Sequence, residues 1–289
     1  MSLNFLTSYY KTYTYIYFIQ EKNITMKFNN LQSCHLGPEI SPEQFIPEHF
    51  FLFLLKGSMV SYDGYRHYRM KPGDYCIARK NHLVRYTKYK EDGDFEKGII
   101  AFDERFLKKF LERHPYQAEP TENNDSFLFI NENKLIKNFV QSLEPYYNGT
   151  EQLDDTFVDI KREELLMILL KNNPDLKDIF FNFNIPHKID LELFMNHNYK
   201  FNISLERFAF MTGRSLSTFK REFKAVFNTT PGKWLMNKRL QEAYFLLEKE
   251  HKKPSEIYID LGFEDFSHFS FVFKKEFGFA PSELNKLKI

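Results

Sequence analysis

A two-domain α+β fold is what the patterning of this chain predicts, and three observations predict it. Residues 27–102 alternate short apolar runs with turn signals, as strands do. Residues 103–183 switch to apolar side chains at helical spacing. From residue 186 onward the sequence stays helical and repeats one layout: helix, glycine turn, helix.

Bulk properties set the frame. A length of 289 residues suits two domains at roughly 100–200 residues each. Hydrophobic residues at 43% and charged residues at 27% describe ordinary globular material. The 33 Phe and 17 Tyr are unusual, but A/T-rich codons explain them more simply than a stacking role. Net charge is only +1, which excludes a strongly basic chain but hides an asymmetry. From Pro186 on there are 17 basic and 13 acidic side chains, a surplus of four. The preceding residues hold 23 basic and 26 acidic, a deficit of three. A basic end of this kind is a first hint of nucleic-acid contact.

Cys34 and Cys76 cannot build a disulfide framework and read as reduced thiols in a cytoplasmic protein. No stretch reaches the roughly 18 apolar residues of a membrane helix. Residues 1–20 are aromatic but lack the basic start and apolar core of a signal peptide. Residues 1–26 form a candidate upstream extension, with Met26 as an alternative start.

Within 27–102, Phe50 to Leu55 is an apolar run closed by Lys56-Gly57. Asp63-Gly64 favours a tight hairpin, and Lys71-Pro72-Gly73-Asp74 marks another turn before the strand Tyr75 to Ala78. Several short strands so spaced predict a small sandwich or barrel. In 103–183, Phe106, Leu107, Phe110 and Leu111 share a helix face, as do Leu135, Ile136, Phe139, Val140 and Leu143. Leu165 to Leu170 is apolar around its whole circumference, so such a helix must be covered on more than one side. Either its own domain buries it, or Leu165, Leu166, Ile168 and Leu169 serve a dimer seam.

Residues 186–289 carry the chemistry. Ser204 caps a helix that Gly213 ends, and a second helix starts near Ser215 with Leu216, Phe219, Phe223 and Phe227 inward. Its outer face shows Ser217, Thr218, Lys220, Arg221 and Lys224. Pro254 to Leu261, Gly262 and a helix from Asp265 to Phe277 repeat the layout 49 residues later, with a turn one residue longer. The units therefore span 204–228 and 254–277. Pro231 to Leu247 reads as one connecting helix, buried at Trp234, Leu235, Leu240, Ala243, Leu246 and Leu247. Helices joined by such a turn can lodge the second one in a major groove.

At this point the chain resembles the AraC/XylS family of transcription regulators. The resemblance runs from Ile203 to Leu287 and rests on Ala209 with Gly213, the run Phe219 to Lys224, Pro231, Arg239 to Ala243 and Leu246-Leu247. It rests most of all on Leu261-Gly262-Phe263-Glu264-Asp265-Phe266-Ser267-His268-Phe269-Ser270, continued through Phe277-Gly278 to Pro281-Ser282-Glu283. It implies an AraC-type DNA-binding domain over 186–289. Double-stranded promoter DNA would be contacted by Ser215, Ser217, Thr218, Lys220, Arg221 and Lys224. The second helix would add Glu264, Asp265, Ser267, His268, Ser270, Lys274 and Lys275. RNA polymerase is the further partner implied, with no cofactor. The plain alternative for each side chain is a solvated helix face.

Three departures stand out. Tyr258 replaces a small residue between the paired helices, so the second unit should be splayed or repacked. Phe271 replaces a polar or basic residue, so that unit should grip backbone more than bases. Asn228 replaces a glycine, a mild change because Asn accepts left-handed angles.

Family members commonly carry a cupin-like sensor and dimerisation domain in front. Gly57, Gly64 and Pro72-Gly73-Asp74 between strand-like segments look like one, so the first half is expected to be a cupin-like barrel over 27–102. The helical segment 103–183 would carry homodimerisation. A small effector or a regulatory protein would control the whole, and activation is the expected outcome. The alternatives are a cupin-type metalloenzyme and a non-enzymatic ligand binder with an accessory DNA-binding end. A metal site needs clustered ligands, whereas His49, His67 and His82 stand singly and no HxH occurs. No Gly-x-Ser-x-Gly elbow or phosphate-binding glycine loop is present, so neither catalytic nor metal residues are assigned.

Overall fold

The apolar run at residues 50–55 becomes the middle strand of the largest sheet. The computed structural model describes residues 45–121, 123–131, 133–147, 155–184 and 186–284, together with the backbone of 16–20. Strand β3 (His49–Lys56) lies between β6 (Tyr75–Ala78) and β9 (Glu96–Phe102), antiparallel to both. β1 (Ile16–Gln20) and β10 (Phe127–Ile130) complete the order β1-β9-β3-β6-β10. β2 (Phe45–Ile46) pairs with β7 (His82–Leu83), and β4 (Ser58–Tyr62) lies between β5 (His67–Met70) and β8 (Arg85–Tyr89). Apart from β1, the candidate extension at 1–26 lies outside the described residues, as does Cys34.

β3 is apolar on both faces because both are covered, and Phe51, Leu52, Phe53 and Leu54 are all buried. Gly98 makes room for it. Gly98 pairs with Phe53 across the sheet, and a side chain there would stand 2.0 Å from the Phe53 ring. The turns follow their sequence signals. The Asp63 carboxylate accepts from the Tyr65 and Arg66 amides at 2.9 Å each, and Gly73 takes a left-handed φ of +89°. Cys76 is fully buried, and its Sγ lies 3.6 Å from the Met70 sulfur.

The chain divides into two compact units. Unit 1 runs to Phe183, less the short segments Tyr62–Arg66 and Leu83–Arg85; these group with residues 184 onward as unit 2. Unit 1 packs helices against its main sheet: α1 (Glu104–Arg113), α2 (Lys134–Ser142), α3 (Glu144–Tyr147), α4 (Asp155–Asn172) and α5 (Lys177–Phe180). A single apolar core joins Phe51, Ile100, Phe110, Phe139, Leu165 and Phe180.

That core corrects one expectation. Leu165, Leu166 and Leu169 are fully buried in it, so they cannot line an exposed dimer seam. Ile168 is half-buried and borders a depression with His114, Tyr116, Leu135, Met167 and Lys171. The exposed apolar side chains of α4 are instead Phe157, Ile160 and Met167. Arg162, on the same helix, is 1% exposed and satisfied on every side. It pairs with Asp103 and Asp159, donates to the Ala101 carbonyl at 2.8 Å and stacks over Phe106. A buried guanidinium demands such partners, and here it ties α4 to the end of β9.

Unit 2 is helical beyond residue 190: α6 (Leu191–Asn198), α7 (Leu205–Met211), α8 (Leu216–Phe227), α9 (Pro231–Glu248), α10 (Pro254–Ile257) and α11 (Phe266–Phe277). No described helix is long and apolar enough to cross a membrane.

Candidate nucleic-acid interface

The first helix pair is built from caps and one buried arginine. Ser204 caps α7 by accepting from the Arg207 amide, and Gly213 ends it with a φ of +65°. Any side chain at Gly213 would meet the His187 backbone at 2.4 Å, so glycine is needed for conformation and for space. Arg214 then fixes the turn. It donates to Glu222 at 3.0 Å and to the carbonyls of Ile189 and Thr212. Glu222 also accepts from Lys188 at 2.8 Å, and hydrogen bonds from these two cations hold its carboxyl below the usual range.

Helix α8 buries Phe219 and Phe223, and Phe223 and Phe227 pack on Trp234 of α9. Ser217, Lys220, Arg221 and Lys224 are exposed, and their spacing of i, i+3, i+4, i+7 puts them on one face. Two expected contact residues are otherwise engaged. Ser215 is the N-cap of α8, and its hydroxyl lies 3.1 Å from that of Ser217 and 3.0 Å from that of Thr218. Thr218 is accordingly half-buried. Asn228 ends the helix at a φ of +54°, in the left-handed region where Asn substitutes for glycine.

The second pair uses the same plan with different parts. α10 stops after four residues, shorter than the Pro254–Leu261 helix expected, and Tyr258 turns to pack edge-on against Phe266 at 5.6 Å. Asp265 caps α11 by accepting from the His268 amide at 2.6 Å. The Glu264 carboxylate accepts from Asn202 at 2.9 Å, and Ser270 is half-buried. Asp265 and Glu264 are exposed but each carboxylate already accepts a hydrogen bond within the unit, and Ser270 is partly covered. Ser267, His268, Lys274 and Lys275 are exposed, and Phe269 and Phe273 are buried.

One residue important to this arrangement was missed. Arg239 of α9 is nearly buried and donates to three carbonyls: Tyr199 at 2.8 Å, Phe201 at 2.8 Å and Gly262 at 2.9 Å. It fastens the turn of the second pair to the segment that follows α6. Burial lowers its pKa to about 10, so it stays a cation at neutral pH. All six predicted buried positions of α9 are buried.

The comparisons with known proteins agree with this geometry. Residues 49–179 match the model for the ExsA N-terminal regulatory domain, and residues 208–286 match a helix-turn-helix domain. The HTH-type transcriptional regulator ExsA of Pseudomonas aeruginosa is 24% identical over 258 residues, covering 87% of this chain and 91% of that one. The HTH-type transcriptional activator RhaS of Klebsiella pneumoniae is 25% identical over 257 residues, covering 85% and 89%. The chain belongs to the AraC/XylS family. As an AraC/XylS regulator it is a DNA-binding transcription factor with a regulatory domain in its first half. The virulence regulon transcriptional activator VirF of Yersinia enterocolitica is a further relative, 26% identical over 191 residues and covering 64% of this chain and 70% of that one.

The regulatory match over 49–179 also disfavours a cupin-type metalloenzyme. His49 is buried and accepts the Lys80 amide at 3.2 Å, His67 is exposed, and His82 Nδ1 lies 2.9 Å from the Lys80 carbonyl. Among the described residues no three His, Cys, Asp or Glu side chains form a metal-binding group.

Proposed function

We propose that this AraC/XylS regulator activates transcription by laying α8 and α11 in successive major grooves of promoter DNA. The observation that carries the reading is the exposed face Ser217, Lys220, Arg221 and Lys224 on a helix whose opposite side is buried against α9. Arg and Lys match guanine edges and phosphates, and serine matches either. The 18 residues of α9 span about 27 Å, commensurate with the roughly 34 Å of one DNA turn. Ser267, His268, Lys274 and Lys275 are the corresponding contacts on α11.

Activation is supported by the names of the relatives VirF and RhaS. Control passes through unit 1, by a small effector or a regulatory protein. The working form is a cytoplasmic, non-enzymatic homodimer that contacts RNA polymerase, and Phe157, Ile160 and Met167 of α4 supply exposed apolar surface for the second subunit. The test is a selection of duplexes from a random pool with the full chain, followed by affinity measurements. Arg221→Ala should cost about 1–3 kcal/mol on the selected site and relax preference at one position. Unchanged affinity and unchanged preference would reject the role of α8.

A further inference from the structure

Phe271 is 67% exposed, the highest value among the exposed large apolar side chains that the structure describes. The folded chain forgoes the burial of most of this ring. The cause is its place on α11. Phe269 and Phe273, two residues to either side, occupy the buried face, so Phe271 is directed away from it. Its neighbours at helical spacing are Ser267 and His268 one turn before and Lys274 and Lys275 one turn after, all exposed. A lone aromatic ring thus stands between a hydroxyl and an imidazole on one side and two cations on the other.

That mixture argues for one kind of surface. Protein-docking sites present contiguous apolar patches. Here the flanking groups are polar, and the nearby exposed ring, Phe266, sits on another side of the helix and packs on Tyr258 and Phe269. A major groove offers the complementary set: phosphates along its walls and, on its floor, the thymine 5-methyl, the one methyl group among the four base edges. Phe is among the side chains that contact it.

We propose that Phe271 is a specificity-determining residue that packs on a thymine 5-methyl group, with Lys274 and Lys275 on the adjoining phosphates. The proposal rests on the reading above that α11 lies in a major groove. It departs from the expectation that the second unit grips backbone more than bases, and it requires a thymine at a fixed place in the half-site under α11.

Uracil lacks only that methyl group, so the test exchanges single thymines for deoxyuridine in the duplex selected by the full chain. The wild-type protein should lose about fourfold in affinity at one thymine of the α11 half-site, the worth of one buried carbon group. Phe271→Ala should bind the thymine duplex about fourfold more weakly and no longer distinguish thymine from uracil there. A wild-type protein indifferent to every exchange would overturn the proposal, and so would a Phe271→Ala variant that keeps the uracil penalty. The wild-type scan needs no variant, so a folding defect cannot hide its result. Lys274→Ala separates this outcome from the reading beneath it. If Lys274→Ala weakens binding and flattens its salt dependence while the uracil scan is silent, only the thymine contact fails. If Lys274→Ala changes neither, α11 is not on DNA and both fail.

Discussion

The two helix-turn-helix units follow one plan and are held in place differently. In the first, Arg214 sits inside the unit and locks its own turn through Glu222 and two carbonyls. In the second, the turn at Gly262 is held from outside by Arg239 of α9, and any side chain at Gly262 would lie 2.9 Å from that guanidinium. The leading helices differ too: α7 runs for seven residues, and α10 breaks after four, where the Tyr258 ring packs on Phe266. The first reader is therefore braced by its own arginine, which also reaches the preceding Ile189, and the second depends on the connecting helix and on aromatic packing.

The sharpest way to break this contrast is Arg239→Ala. It strips three buried carbonyls of a charged donor, so unfolding of unit 2 should become easier by about 3 kcal/mol or more. Hydrogen exchange should rise first around residues 199–201 and 262. Equal loosening of α8 and α11 would mean that the bracing is shared. Arg239→Lys keeps the charge but not the fork, so it should recover only part of the loss.

Next in size are the caps. Ser215→Ala and Asp265→Ala should each cost about 1 kcal/mol in denaturant unfolding while leaving the preferred DNA sequence unchanged. A shift in sequence preference with stability intact would return those side chains to the DNA-reading set.

Glu48 supplies a control confined to unit 1. Burial, reinforced by Asp103, raises its pKa from the ordinary 4.5 to about 7. The folded state thus favours the protonated acid, and this stabilisation is complete below about pH 4.5 and lost as pH rises through about 7. Glu48→Gln, which mimics the neutral acid, should match the wild type in acid and exceed its stability near pH 8. Thermal melts across that range check it, and parallel curves for the two proteins would reject the assignment.

Much of this architecture was readable because the physics is local. Ser204, Gly213, Gly262 and Gly278 punctuate helices through hydroxyl caps and left-handed angles, which a sequence displays directly. The α9 burial pattern was legible for the same reason. The role of Arg239 was not, because an arginine on a helix is by default solvated and its carbonyl partners lie 23 to 40 residues away. Leu165 to Leu170 announced that a cover was needed but not which surface supplied it, and the sheet and helices of unit 1 supply most of it. Ser215 and Asp265 were ambiguous in kind: the same oxygen that can meet DNA can cap a helix, and only geometry shows which N–H it accepts.

The most direct test of two readers on one duplex is a methylation-protection footprint of the full chain on its selected site. Two protected major-groove segments about 10 base pairs apart on one face are predicted, the first lost with Arg221→Ala and the second weakened by Lys274→Ala. A single protected segment, untouched by changes in α11, would contradict the account.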